Sequence, residues 1–216
     1  MDAGLSMDLI MSTKSSKVFI TGSDSNTRWL DNWFKSNFYK HNPNAELVVY
    51  DFDKYFNENQ RWFKKPAAML EASMTFDSVC WIDNDIEIRS NIERIFDFIE
   101  PNKLLMAEDR PWSTRRGEKW HNSGVVGFQG TPKILREWAS AVQTVDQRPN
   151  PMYGDQDVLH ELVRGDMKRF IHITDLPRNY NTLRLDLIDN TAPPTIRMMH
   201  WTGAKGKEEI KRQMNE

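Results

Sequence analysis

The sequence predicts a single α/β domain, a central sheet with helices on both faces. Short β-rich apolar runs alternate with stretches of helical periodicity along most of its 216 residues. That length supports one substantial core. The most informative run, Val79-Cys80-Trp81-Ile82, ends in Asp83-Asn84-Asp85 before apolar alternation resumes at Ile86-Glu87-Ile88. Alternating strands and helices build open sheets that bind ligands at the carboxyl ends of their strands. The paired acids sit at such an end.

The elements follow in order. Residues 1–16 are polar and interrupted, too weakly apolar for a signal-peptide core, and read as a flexible leader, with the folded domain at 17–216. Val18-Phe19-Ile20-Thr21 is a first strand, and Gly22-Ser23-Asp24-Ser25 a turn able to cap a helix. Trp29, Leu30, Trp33, Phe34 and Phe38 then recur at helical spacing. Leu47-Val48-Val49-Tyr50 is a second strand, and residues 61–73 a helix with Pro66 in its first turns. Residues 79–82 form a third strand, 92–99 a short helix, 104–106 a fourth strand and 124–128 a fifth. Thr131-Pro132 opens a helix with Ile134, Leu135, Trp138, Ala141 and Val142 on one face. Residues 147–151 and 181–194 read as long loops.

Composition narrows the function classes. The 29 basic and 31 acidic residues are well mixed and leave a net charge of −2, so no basic stripe marks a nucleic-acid groove. No stretch approaches a membrane span. The one cysteine, Cys80, excludes an internal disulfide framework and favours a reducing, cytoplasmic setting, in a host cell if the chain is virus-encoded.

Two carboxylates one residue apart repel unless a cation lies between them, and oxygen ligands at this density suit Mg²⁺ or Mn²⁺. The bland reading is a solvated turn or helix cap. A phosphatase of the haloacid-dehalogenase type needs Thr or Val four positions after its nucleophilic Asp, where this chain has Glu87. An EF-hand needs Gly where Ile88 stands. Three later motifs join the pair. His121-Asn122-Ser123-Gly124 sets small polar residues before an apolar strand, where a backbone can approach a ligand. Tyr153-Gly154-Asp155-Gln156-Asp157 begins a helix with an acid-amide-acid triplet, which capping alone could also explain. Met198-Met199-His200 ends an apolar strand and is followed by Gly203, Lys205 and Lys207. A lone His is usually structural, but one at a strand end beside glycines and lysines can serve a metal and a diphosphate.

In this order the four motifs resemble those of the GT-A nucleotide-sugar glycosyltransferases, family 8 and its relatives, over about residues 18–207. The chain also resembles the small GT-A domains of algal-virus glycosyltransferases. The resemblance implies a Rossmann-like domain with a mixed, mainly parallel sheet. It implies Mn²⁺ (or Mg²⁺) held by Asp83, Asp85 and His200. Thr21 and Gly22 would meet the nucleotide of a UDP-sugar, with Asn84 between the two acids. Lys65 or its neighbour Arg61 would reach a phosphate or the sugar. Asp109, Asn122 and Ser123 would face the donor sugar, and Gln156 with Asp155 and Asp157 the reacting centre. The late motif departs from the family's His-x-x-Gly-x-x-Lys-Pro-Trp: Gly206 stands at the lysine position, so Lys205 or Lys207 takes the phosphate role beside Gly203.

The implied reaction moves a hexose or deoxyhexose, glucose- or rhamnose-type, to a carbohydrate or glycan acceptor, with retention. An inverting enzyme needs a carboxylate base, which Asp155, Asp157 or Asp109 could supply. Two other classes stand beside this one: a nucleotide-sugar-binding module whose catalytic power lies in further domains of a larger chain, and a sugar nucleotidyltransferase. The second is disfavoured by a single glycine after the first strand. Sugars stack on aromatic faces, so Trp112, Trp120 and Trp201 are candidates for sugar or acceptor contact. Trp29, Trp33, Trp81 and Trp138 read as core. Residues 109–120 read as a loop, either mobile over the donor or merely at the surface.

Overall fold

The computed structural model describes residues 15–54, 61–144 and 153–215. The chain runs β1 (Ser15–Ser23), α1 (Asp31–His41), β2 (Leu47–Asp51), α2 (Lys65–Thr75), β3 (Phe76–Ile82), β4 (Ile86–Ile88), β5 (Leu104–Glu108), α3 (Arg110–Arg116), β6 (His121–Gln129) and α4 (Lys133–Ala141). It continues with α5 (Asp155–Val163), α6 (Asp166–His172), β7 (Ile173–Leu176), β8 (Thr182–Leu183), α7 (Arg184–Ile188), β9 (Met198–His200) and α8 (Gly203–Met214). Six strands form the main sheet in the order β2-β1-β3-β6-β5-β7. The pairings β1/β2, β1/β3 and β5/β7 are parallel, and β6 runs antiparallel to both its neighbours.

Period-two alternation divides the core between the two faces of this sheet. Val18, Ile20, Val79, Trp81, Leu104, Met106, Val126 and Phe128 point to one side, where α2, α4 and α5 supply Met69, Trp138 and Leu159. Phe19, Cys80, Ile82, Leu105, Ala107 and Val125 point to the other, against Phe34 and Phe38 of α1 and a 3₁₀ helix, Glu93–Phe98, that contributes Ile95 and Phe96. Both faces are thus covered, as the near-continuous apolar strands require.

A second sheet, β4-β9-β8, controls the site. β4 begins right after the paired acids and pairs antiparallel with β9, matching Ile86 to His200. Met199 and Trp201 pack with Leu30 and Ile210, which seats α8 beside the start of α1.

Several sequence expectations change. β1 continues through Ser23, so Gly22-Ser23 is strand rather than turn, and it begins at Ser15, inside the stretch assigned to the leader, of which residues 1–14 lie outside the described residues. The 92–99 helix is 3₁₀. Residues 109–120 are not a loop: Asp109 accepts the backbone N–H of Trp112 at 3.0 Å and caps α3, with Pro111 in its first turn. Nor is 181–194 one long loop, because it contains β8 and α7. The 147–151 loop lies outside the described residues.

Candidate active site

The Asp-x-Asp pair leaves β3 at its carboxyl end, as expected. The backbone N–H of Asp83 donates to Gly124 O on β6 at 2.8 Å, and Ile86 N–H closes a turn onto Asp83 O. The N–H of Trp201 donates to Asp85 O at 3.0 Å, tying the β9 end to the acids. His200 Nε2 lies 3.2 Å from Asp85 Oδ1 and 3.8 Å from Asp83 Oδ2. One ligand atom from each of Asp83, Asp85 and His200 falls within 4.8 Å of the others.

Two lysines neutralise these acids. Lys65, at the start of α2, is buried; its Nζ lies 2.9 Å from Asp83 Oδ1 and 3.5 Å from Asp155 Oδ2, and donates to Ser123 O at 3.0 Å and Ser123 Oγ at 3.2 Å. Burial alone would push its pKa down, but Asp155 and Asp83 more than reverse this and raise it. Lys207 on α8 lies 2.9 Å from Asp85 Oδ2. Burial would raise the Asp85 pKa, and His200 with Lys207 instead holds it well below the usual carboxylate range.

Two cavities meet at this cluster, and Lys65 and Asp83 belong to both. One, of about 210 Å³, is lined by Gly22, Phe52, Trp81, Asn84, Asp85 and Lys207 among others. Gly22 leaves no room for a side chain, since an added Cβ would come 2.4 Å from Phe52 Cζ. Trp81 is core, yet its Nε1 donates to Asp83 Oδ1 at 2.6 Å. The other, of about 350 Å³, is lined on its far side by Asp109, Trp112, Asn122, Ser123 and residues 153–157.

The walls of the larger cavity are tightly held. Gln156 Oε1 accepts Ser123 N–H at 3.1 Å, and Asn122 Nδ2 donates to Asp109 Oδ2 at 3.2 Å. Burial pushes Asp155 and Asp109 above the usual carboxylate range, although Lys65 opposes it at Asp155 and the Trp112 N–H opposes it at Asp109. Asp157 Oδ2 accepts Gly154 N–H at 2.8 Å, so the capping reading of that residue holds while it also lines the cavity. Trp138 Nε1 donates to Asp155 O at 2.9 Å and pins the start of α5 from the core.

The structure therefore gathers Gly22, Lys65, Asp83, Asn84, Asp85, Asp109, Asn122, Ser123, Asp155, Gln156, Asp157, His200 and Lys207 around the two cavities. Thr21 is buried in β1 and lines neither cavity. Of the late lysines, Lys207 touches Asp85, whereas Lys205 and Gly203 are exposed on α8. The side chain of Arg61 lies outside the described residues. Trp112 lines the larger cavity. Trp120 is buried against the His160 ring at 3.5 Å, and Trp201 is buried with its Nε1 donating to Glu87 Oε2 at 3.0 Å, so neither faces a cavity.

Residues that escaped the sequence include Thr27, Phe52, Leu183, Leu185 and Thr202 on the cavity walls and, behind them, Asn181. Asn181, buried just before β8, places Oδ1 3.1 Å from His200 Nδ1 and Nδ2 2.9 Å from Asn122 Oδ1. An Asn after Pro177-Arg178-Asn179-Tyr180 reads as the start of a loop, and nothing in its spacing links it to His200.

No family model matches the sequence, and no curated protein matches it. Solved structures do match its fold. A galactosyltransferase, LgtC, in complex with donor and acceptor sugar analogs superposes with a TM-score of 0.59 at 14% identity, over 93% of this chain and 94% of that one. A glycosyltransferase involved in glycosylation of the major capsid of PBCV-1 gives a TM-score of 0.66 at 13% identity, over 93% and 100%. The glycosyltransferase GlyE of Streptococcus pneumoniae TIGR4 gives 0.61 at 14%, over 88% of this chain and 55% of that one. The chain shares the GT-A fold of these structures.

Proposed function

We propose, from this shared fold and the two cavities that meet at Asp83, Asp85 and His200, that the chain is a metal-dependent glycosyltransferase. It moves a hexose or deoxyhexose from a UDP-sugar to a carbohydrate acceptor, with retention. The observation that carries the reading is the acid-acid-imidazole cluster at the junction of a smaller, aromatic-walled cavity and a larger polar one. A nucleoside diphosphate sugar has the same order: base, charged diphosphate, polar sugar.

Two carboxylates and one imidazole within 4.8 Å of one another fit Mn²⁺ or Mg²⁺ by donor type. Such an ion, when bound, supplies Lewis acidity to the departing diphosphate. The chain's own residues do the rest. Lys207, beside Asp85 on the wall of the smaller cavity, adds positive charge where the leaving phosphate gathers its own. Lys65, 2.9 Å from Asp83 Oδ1, fixes that carboxylate toward the junction. Asp109, Asn122 and Ser123 offer hydroxyl-matching groups to the sugar, and Gln156 and Asp155 face the reacting carbon.

Retention is supported by the state of the three carboxylates that an inverting enzyme could use as base. Asp155 is paired with Lys65, Asp109 caps α3 and accepts from Asn122, and Asp157 caps α5. The buried, unpaired thiol of Cys80 supports a reducing, cytoplasmic setting.

A panel of UDP-sugars incubated with and without Mn²⁺, read as UDP release and as transfer to oligosaccharides, tests the reading. One donor is expected to turn over only with metal, and Asp83→Ala or Asp85→Ala to abolish this while the fold persists. Full activity with both acids removed ends the proposal. Metal-dependent donor binding without hydrolysis or transfer makes the chain a binding module, and pyrophosphate release from a nucleoside triphosphate makes it a nucleotidyltransferase.

A further inference from the structure

Asn181 is 1% exposed and touches both halves of the site. The polarity of its contacts follows from one donor whose direction the covalent structure fixes. The backbone N–H of Gly124 can only donate, and it meets Asn122 Oδ1 at 2.9 Å, which sets the orientation of that amide. Asn122 Nδ2 is then free to donate to Asp109 Oδ2. The atom of Asn181 that meets Asn122 Oδ1 at 2.9 Å must be a donor, so it is Nδ2. Oδ1 of Asn181 is therefore the atom 3.1 Å from His200 Nδ1. An amide oxygen only accepts, so His200 carries a proton on Nδ1, and Nε2 is the nitrogen turned to Asp83 and Asp85.

Gly124 holds the ring in this line from the other side. A Cβ there would lie 2.3 Å from His200 Cε1 and 2.5 Å from Nδ1, so only a glycine admits the ring.

We infer that Asn181 is a positioning residue that fixes the Nδ1–H tautomer of His200 for metal binding through Nε2 and, through Asn122, couples the metal cluster to the wall of the sugar cavity. The inference rests on the proposed function. It also separates two effects that a merely structural asparagine would not. Alanine removes both contacts. Aspartate keeps an acceptor for Nδ1–H and sets its second oxygen against Asn122 Oδ1, so it preserves the imidazole and breaks the link to the sugar cavity.

The test titrates Mn²⁺ by electron paramagnetic resonance into the whole chain as wild type, Asn181→Ala and Asn181→Asp, each checked for fold by circular dichroism. Calorimetry at saturating Mn²⁺ then compares UDP with UDP-glucose. Loss of an outer partner of a ligating histidine costs about 10- to 100-fold in metal affinity, the fall expected of Asn181→Ala, with Asn181→Asp staying within about threefold of wild type. Both variants are expected to change the affinity ratio of UDP-glucose to UDP. Wild-type Mn²⁺ affinity in Asn181→Ala, equal metal loss in both variants, or an unchanged sugar ratio overturns the inference. Should Asn181→Ala fail to fold, Asn181→Asp decides alone: weak Mn²⁺ binding or an unchanged ratio refutes it. A wild type that binds no Mn²⁺ removes the functional reading as well, whereas a wild type that binds and transfers beside variants that behave alike removes only this one.

Discussion

Replacing Lys65 by Met keeps the side chain's volume and removes its charge from a site where both it and Asp155 are about 95% buried, with side-chain exposures of 5% and 6%. The ammonium's contacts with Asp83, Asp155 and the carbonyl and hydroxyl oxygens of Ser123 are all lost. Breaking a buried ion pair from one side costs about 3–5 kcal/mol. For a chain of this size, about 2–4 °C of Tm per kcal/mol makes that a fall of about 6–20 °C.

The loss carries a pH signature. Burial already raises Asp155 and Lys65 opposes it, so removing the lysine raises Asp155 further. A carboxyl whose folded pKa lies above its unfolded value binds more protons when folded, so its penalty grows as pH rises through that window and vanishes below the unfolded value near 4. Wild-type Lys65, raised by its acids, stays charged throughout. Guanidinium unfolding near pH 7.5 and again near pH 5 is expected to show the full destabilisation at the first and a smaller one at the second. A loss under about 1 kcal/mol at the higher pH, or one that does not shrink in acid, refutes the argument that Lys65 neutralises a buried carboxylate.

Three further outcomes are expected. Gly124→Ala drives a methyl into the His200 ring and lowers Mn²⁺ affinity by about tenfold or more with the sheet intact, read by the same titration. Trp138→Phe leaves the Asp155 carbonyl without its indole donor inside the core and costs about 1–3 kcal/mol in denaturant unfolding, of which the missing ring area is the lesser part. Asp175, drawn down to about 2 by the His121 hydrogen bond against burial and with help from Lys119, contributes stability that is present above its unfolded pKa and lost as pH falls from near 4 to about 2. Asp175→Asn should flatten the thermal-stability curve in that window and leave it unchanged in slope at neutral pH, by an amount reduced because the side chain is 57% exposed.

The strands were legible because both sheet faces are buried, so each reads as an apolar run with an abrupt polar end, and the acids at the end of β3 stand out for that reason. Short elements were not. Residues 109–120 looked like a loop because Arg, Pro and Trp mask a seven-residue helix whose start depends on the Asp109 cap. Residues 181–194 hid β8, only two residues long, which exists because β9 lies beside it. At the site, the residues of the Asp83, Asp85 and His200 cluster were visible in the order of the motifs, and Lys207 could be separated from Lys205 only once α8 showed which of them turns to Asp85. Asn181 was illegible because its role is set by partners 59 and 19 positions away. Trp120 and Trp201 misled because a tryptophan in a polar stretch looks available to a ligand, whereas each is buried against a neighbour.

The small β4-β9-β8 sheet has a temporal meaning as well. Asp85, just before β4, and Lys207, on α8 after β9, are 122 positions apart, and closing so long a loop comes late because its entropy is spent before its contacts repay it. Asp83 and Asp85 come early, at the end of β3, whereas His200 and Lys207 come late, on β9 and α8. The acid-imidazole cluster is therefore complete only once β9 docks, and a chain cut before β9 would carry two of its three members.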